Sequence, residues 1–193
     1  SVDTGDEVLV PNPGFPTYKA ITSLAGAHPI CYPMSADDSF RFSVDALEKL
    51  ITKKTRAVVI NSPSNPTGHI IPDSELKGLA TLADAHDLMV ISDEVYHEFY
   101  YGERCPSFLD VSGRGLVVNS LSKTEAMTGW RIGWTVGPPE FISAITAVNQ
   151  HSVTCAPTLS QRVALRTLDA SAEERAAGIR AAGIRADFAQ RRR

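Results

Sequence analysis

Apolar residues in this chain fall first into short runs broken by polar, proline- and glycine-marked segments, and later into longer stretches with helical spacing. Val8-Leu9-Val10 predicts a strand. Pro11-Asn12-Pro13-Gly14-Phe15-Pro16 follows as a rigid turn, expected to stay out of any central ladder because proline has no N–H to donate. Residues 18–24 predict a helix and 27–34 a second strand. Ser43 is placed to cap a helix reaching Leu50, with Val44, Leu47, Leu50 and Ile51 on one face. The β-branched run 56–60 predicts a buried strand, followed by a loop over 61–68 that Pro63 and Pro66 stiffen and that can aim Asn65. Asp73 is expected to cap a helix whose apolar face is Leu76, Leu79, Ala80, Leu82 and Ala83. Residues 88–91 predict the next buried strand, ending at Ser92-Asp93-Glu94-Val95-Tyr96. Leu116-Val117-Val118 predicts another, which breaks into the polar segment Asn119-Ser120-Leu121-Ser122-Lys123. Beyond it, Ile132, Trp134 and Val136 form an apolar run punctuated by Gly129, Gly133 and Gly137. From Pro139 the spacing is helical, with a break near Pro157.

Strands that alternate with helices predict an α/β fold, a three-layer sandwich around a mostly parallel central sheet. In such sheets ligands bind beyond the carboxyl ends of the strands. Asn65, Asp93, Tyr96, Ser120, Lys123 and Arg131 all fall on or near that edge, and a lysine and an arginine grouped with hydroxyls suit an anionic ligand and amine chemistry.

Composition narrows the reading further. The 193 residues suffice for one core of ordinary size and part of a second domain. The net charge of -3 conceals an arginine-rich tail, which Glu173, Glu174 and Asp187 interrupt; it reads as a solvated helix and not as a nucleic-acid arm. Cys31, Cys105 and Cys155 are odd in number and far apart, which argues against a disulfide framework or a metal site and for a reducing, cytoplasmic setting. No apolar run is long enough to span a membrane, and no signal pattern opens the chain. The start at Ser1, without methionine, and the stop at Arg193, inside an uncapped helical pattern, lead us to expect a fold incomplete at both ends. Within the tail, Ala176-Ala177-Gly178-Ile179-Arg180 recurs at once as residues 181–185. As a duplication it would turn the downstream helix by ~140° beyond a full circle. As a native feature its glycines would each weaken the helix by about 1 kcal/mol.

Asn65-Pro66-Thr67-Gly68, Ser92-Asp93-Glu94-Val95-Tyr96 and Ser120-Leu121-Ser122-Lys123, the last followed by Gly129-Trp130-Arg131-Ile132-Gly133-Trp134, occur in this order and at separations that resemble the fold-type I aminotransferases, which use pyridoxal 5′-phosphate. The resemblance covers nearly the whole chain. It implies that Lys123 is the Schiff-base lysine and carries the proton between substrate and cofactor. Asp93 would lie beneath the pyridine nitrogen and keep it protonated, with Glu94 pointing away. Tyr96 and Asn65 would hydrogen-bond the cofactor's phenolate oxygen. Ser120 and Arg131, assisted by Ser122, would bind its phosphate, and Phe15 would stack on its ring. The resemblance further implies a cis Asn65–Pro66 peptide and gives His97 and His151 no role. It makes residues 1–155 a large, cofactor-binding domain and 156–193 a helical segment leading to a small one. The family's phosphate-cradling loop and its substrate-carboxylate arginine would lie outside residues 1–193, so this stretch alone is expected to be inactive. The implied activity is amino transfer from an amino acid to a 2-oxo acid, in a homodimer without nucleic-acid or membrane partners. A β-eliminating carbon–sulfur lyase uses the same residues, and a ligand-sensing domain of a transcription regulator shares the fold; a remnant without activity is the further alternative.

Overall fold

The computed structural model describes residues 2–101, 104–170 and 174. In chain order the elements are β1 (Glu7–Asn12), α1 (Thr17–Leu24), β2 (His28–Pro33), α2 (Val44–Glu48), β3 (Thr55–Asn61), α3 (Asp73–His86), β4 (Met89–Asp93), β5 (Leu116–Ser120), α4 (Leu121–Thr124), β6 (Gly133–Val136), α5 (Pro139–Ser152) and α6 (Thr158–Asp169). The six strands form one sheet in the order β2-β1-β3-β4-β5-β6, and the pairings from β2 through β5 are all parallel. The mixed α/β class with a mostly parallel sheet is therefore as expected. By their internal contacts the described residues divide into two compact units, those among 1–118 and 135–138 forming one and those among 119–134 and 139–193 the other.

In the first unit a parallel sheet buried on both faces explains the apolar strand runs. Alternate residues of β3 serve different cores. Val58 and Ile60 join Leu9, Val90 and Val117 under the α3 residues Leu76, Leu79, Ala80, Leu82 and Ala83. Ala57 and Val59 join Val8 and Val10 on the other side, with Tyr18 of α1 packed against them. The α3 face is the one its spacing predicts. Leu79 is fully buried, which is worth roughly 2 kcal/mol.

Local expectations fail in four places in the first unit. Pro11 and Asn12 continue β1, a central strand, opposite Tyr32 and Pro33. This is tolerated because pairing with β3 ends at Leu9, so Pro11 withholds no donor from that ladder. Ser43 does cap α2, accepting from the Ala46 N–H, but the helix stops at Glu48. Asp73 is not a cap: Pro72 holds that position without a side-chain bond, and Asp73 in the first turn pairs with Lys77 at 2.6 Å. Asn61 belongs to β3, not to the loop.

Glu94 turns away from the sheet edge into a buried polar knot. Its Oε1 accepts from Ser92 Oγ (2.9 Å), Ser107 Oγ (3.1 Å) and the Phe108 N–H (2.9 Å), and its Oε2 lies 3.6 Å from His97 Nδ1. His97 is thus a buried structural side chain. Glu94→Ala strands three donors at once and should lower stability by about 3 kcal/mol. Chemical denaturation measures this directly, and a change below about 1 kcal/mol, the net worth of one ordinary hydrogen bond, would show that the knot carries little.

The second unit has its own small core, in which Leu121 and Met127 pack with Ala164 of α6, flanked by Ile132 and Val163. Among the described residues no helix is long and apolar enough to cross a membrane. The repeated pentapeptide and the arginine-rich tail lie outside the described residues, apart from Glu174.

Candidate active site

In the first unit the candidate site centres on Asp93, the half-buried last residue of β4. Its carboxylate is held from two directions. Tyr18 donates its hydroxyl to Oδ2 at 2.7 Å, and the Val95 N–H donates to Oδ1 at 3.2 Å. Its backbone carbonyl accepts from Asn61 Nδ2 at 2.9 Å and from the Ser62 N–H at 3.2 Å. Burial, followed by the charge of Asp93, raises the Tyr18 pKa far above that of an ordinary phenol, so Tyr18 stays a neutral donor. The short O–H···O⁻ bond is of the charge-assisted kind. One turn before Tyr18, the partly exposed Phe15 meets it edge to face, with centroids 5.7 Å apart.

Asn65 is half-buried, and its peptide to Pro66 is cis, as the resemblance implies. Its N–H donates to Asn61 Oδ1 at 2.7 Å. Tyr96 follows Asp93 by three residues and packs edge to face on Phe99. Phe15, Tyr18, Asn61, Asn65, Asp93 and Tyr96 therefore gather at the carboxyl ends of β1, β3 and β4. In a parallel sheet all these ends lie on one edge.

In the second unit Ser120 closes β5 and caps α4, its Oγ accepting from the Ser122 N–H at 3.2 Å. Lys123, expected in a loop, is instead the third residue of α4 and half-buried. The cap supplies the reason: a serine with extended backbone starts a helix where composition alone reads as loop. Arg131 is exposed and left-handed (φ 52°), and its guanidinium donates to the Thr128 carbonyl at 2.8 Å. Two residues on, a Cβ on Gly133 would come within 2.6 Å of the Asn119 carbonyl oxygen and 2.9 Å of Ser120 Cβ. Glycine at 133 thus lets the start of β6, two residues after Arg131, lie against the strand that ends in Ser120.

The model of aminotransferase class I and II matches residues 1–193, the entire chain. The chain belongs to this family. An aspartate aminotransferase from Pyrococcus abyssi is 41% identical over 168 residues, which are 85% of this chain and 43% of the relative. The aromatic-amino-acid aminotransferase 2 of Thermococcus litoralis is 41% identical over 167 residues, 84% of this chain and 43% of that protein. In structure the chain resembles the aromatic aminotransferase of Pyrococcus horikoshii with a TM-score of 0.87 and 40% identity, over 91% of this chain and 48% of the other. This aminotransferase chain thus spans about half the length of the relatives it matches.

Two polar residues of the aminotransferase edge escape a reading of the sequence. Tyr18 is read there only as part of a helix, because nothing in its neighbours announces an acceptor 75 residues away. Asn61 is read as loop. Its place opposite Asp93 is a matter of ladder register, which a single strand does not encode.

Proposed function

We propose that the protein carrying this chain uses pyridoxal 5′-phosphate to move an amino group from an amino acid to a 2-oxo acid. The observation that carries this reading is the Asp93 carboxylate, fixed at the end of β4 by the Tyr18 hydroxyl and the Val95 N–H in a member of the aminotransferase family. The donor set suits such a cofactor. Among the described residues each Asp93 oxygen accepts one hydrogen bond, which leaves lone pairs for a protonated ring nitrogen. When bound, the cofactor supplies an electron sink for the charge that develops at the substrate Cα.

The chain's own groups then divide the work. Asp93 keeps the ring nitrogen protonated and Tyr18 keeps Asp93 oriented. Lys123 holds the cofactor and moves the Cα proton. Asn65 and Tyr96 donate to the phenolic oxygen, Phe15 covers the ring, and Ser120, Ser122 and Arg131 take the phosphate. Residues 1–155 serve as the cofactor-binding domain and 156–193 lead toward a second, smaller one. A homodimer in the cytoplasm completes the proposal; the three free thiols favour a reducing compartment.

The deciding experiment supplies pyridoxal 5′-phosphate with aspartate or an aromatic amino acid, and 2-oxoglutarate or pyruvate as acceptor. The new amino acid should form only when donor and acceptor are both present. Pyruvate released from a sulfur amino acid without any 2-oxo acid would make the protein a lyase instead.

A further inference from the structure

Asn61 has no part in the roles assigned above, yet it is 5% exposed and its side chain bonds in two directions. Its Oδ1 accepts the Asn65 N–H at 2.7 Å, and its Nδ2 donates to the Asp93 carbonyl at 2.9 Å. It stands opposite Asp93 in the β3–β4 ladder. One buried amide thus joins the loop residue Asn65 to the strand end that presents the carboxylate.

We propose that Asn61 is a positioning residue: it fixes Asn65 relative to Asp93, so the two groups assigned to the cofactor's ring are set as a pair. The assignment of those two groups rests on the function proposed above. The side-chain chemistry is demanding, because this place needs an acceptor and a donor on one short planar group. Aspartate would keep the acceptor for the Asn65 N–H but turn an oxygen toward the Asp93 carbonyl. Alanine would lose both bonds and leave a buried N–H and a buried carbonyl less well satisfied. The rest of the loop has separate ties. Ser62 Oγ accepts from the Ile71 N–H at 3.0 Å, the Ser64 N–H donates to the His69 carbonyl at 2.9 Å, and the Gly68 N–H donates to the Ser64 carbonyl at 2.8 Å. Removing the Asn61 side chain should therefore free Asn65 without dismantling the loop.

The first arm of the test needs no cofactor. Amide exchange in the protein without ligand should be about 10-fold faster at the Asn65 N–H in Asn61→Ala, and within about threefold of wild type in Asn61→Asp, while the Ile71 N–H stays unchanged in both. The second arm follows the visible absorption of added pyridoxal 5′-phosphate against pH. Asn61→Ala should shift the midpoint in the same direction as Asn65→Ala, and the double variant should shift it no further than Asn65→Ala alone. If Asn61→Ala does not fold, Asn61→Asp carries this arm, with a midpoint between those of wild type and Asn65→Ala. An unchanged Asn65 exchange rate, additive shifts in the double variant or a wild-type midpoint in Asn61→Asp would each overturn the proposal. A wild-type protein that takes up no cofactor would instead overturn the proposed function, and the exchange rates would still decide the role of Asn61.

Discussion

In the protein that carries this chain, Lys123→Ala should lower turnover by about 10⁴-fold, the upper range for removing a group with the proton-moving role proposed for it. The expectation follows from its placement. Lys123 sits in α4, the helical turn that the Ser120 hydroxyl caps, so its stem leaves a capped helical turn and not a loop. A second readout identifies the residue. Borohydride treatment of the wild-type protein with pyridoxal 5′-phosphate should leave the label on the peptide that contains Lys123, and Lys123→Ala should lose it. A label on Lys77 or Lys49 would move the chemistry elsewhere. Lys77 is already engaged with Asp73 at 2.6 Å.

In the full-length protein, Asp93→Asn should leave the fold intact and lower turnover by about 10²–10³-fold, the usual cost of removing one aimed electrostatic partner. The backbone of residue 93 keeps its bonds from Asn61 and Ser62, so the strand end stays in place. What changes is charge. A neutral amide does not hold a ring nitrogen protonated, and its NH₂ group has no use for the Tyr18 hydroxyl as a donor. Tyr18→Phe separates the two effects. It removes only the 2.7 Å bond to Oδ2 and keeps the carboxylate, so its loss should be far smaller, about 10-fold. The steady-state rates of the three proteins make the comparison. Near-normal turnover in Asp93→Asn would mean that another carboxylate does the work, and Glu94, turned into its own buried knot, is not placed to do so.

Both predictions concern residues that the sequence already singles out, and this reflects how local their signals are. Lys123 and Asp93 each follow a short apolar run, and such runs become strands whatever surrounds them. The three-motif order adds the chemistry. Element types were legible for the same reason. The α3 face repeats at helical spacing, and its five residues are buried as predicted. Errors collect at the ends of elements, where one residue's partner decides. Pro11 extends β1 because the neighbouring ladder has already stopped, and Asp73 loses its cap because Pro72 takes the position.

The sequence by itself thus determined the alternation of strands and helices, the buried faces and the identity of the chemical groups at the strand ends, because each depends on residues within a turn or two of one another. Only the tertiary structure decided how those groups are held. Asn61 faces Asp93 through ladder register, and Tyr18 reaches Asp93 across 75 residues of chain. The first contact follows from how the parallel strands stack side by side and the second from the packing of α1 on the sheet, and both are settled by the assembled sheet, not by any one segment.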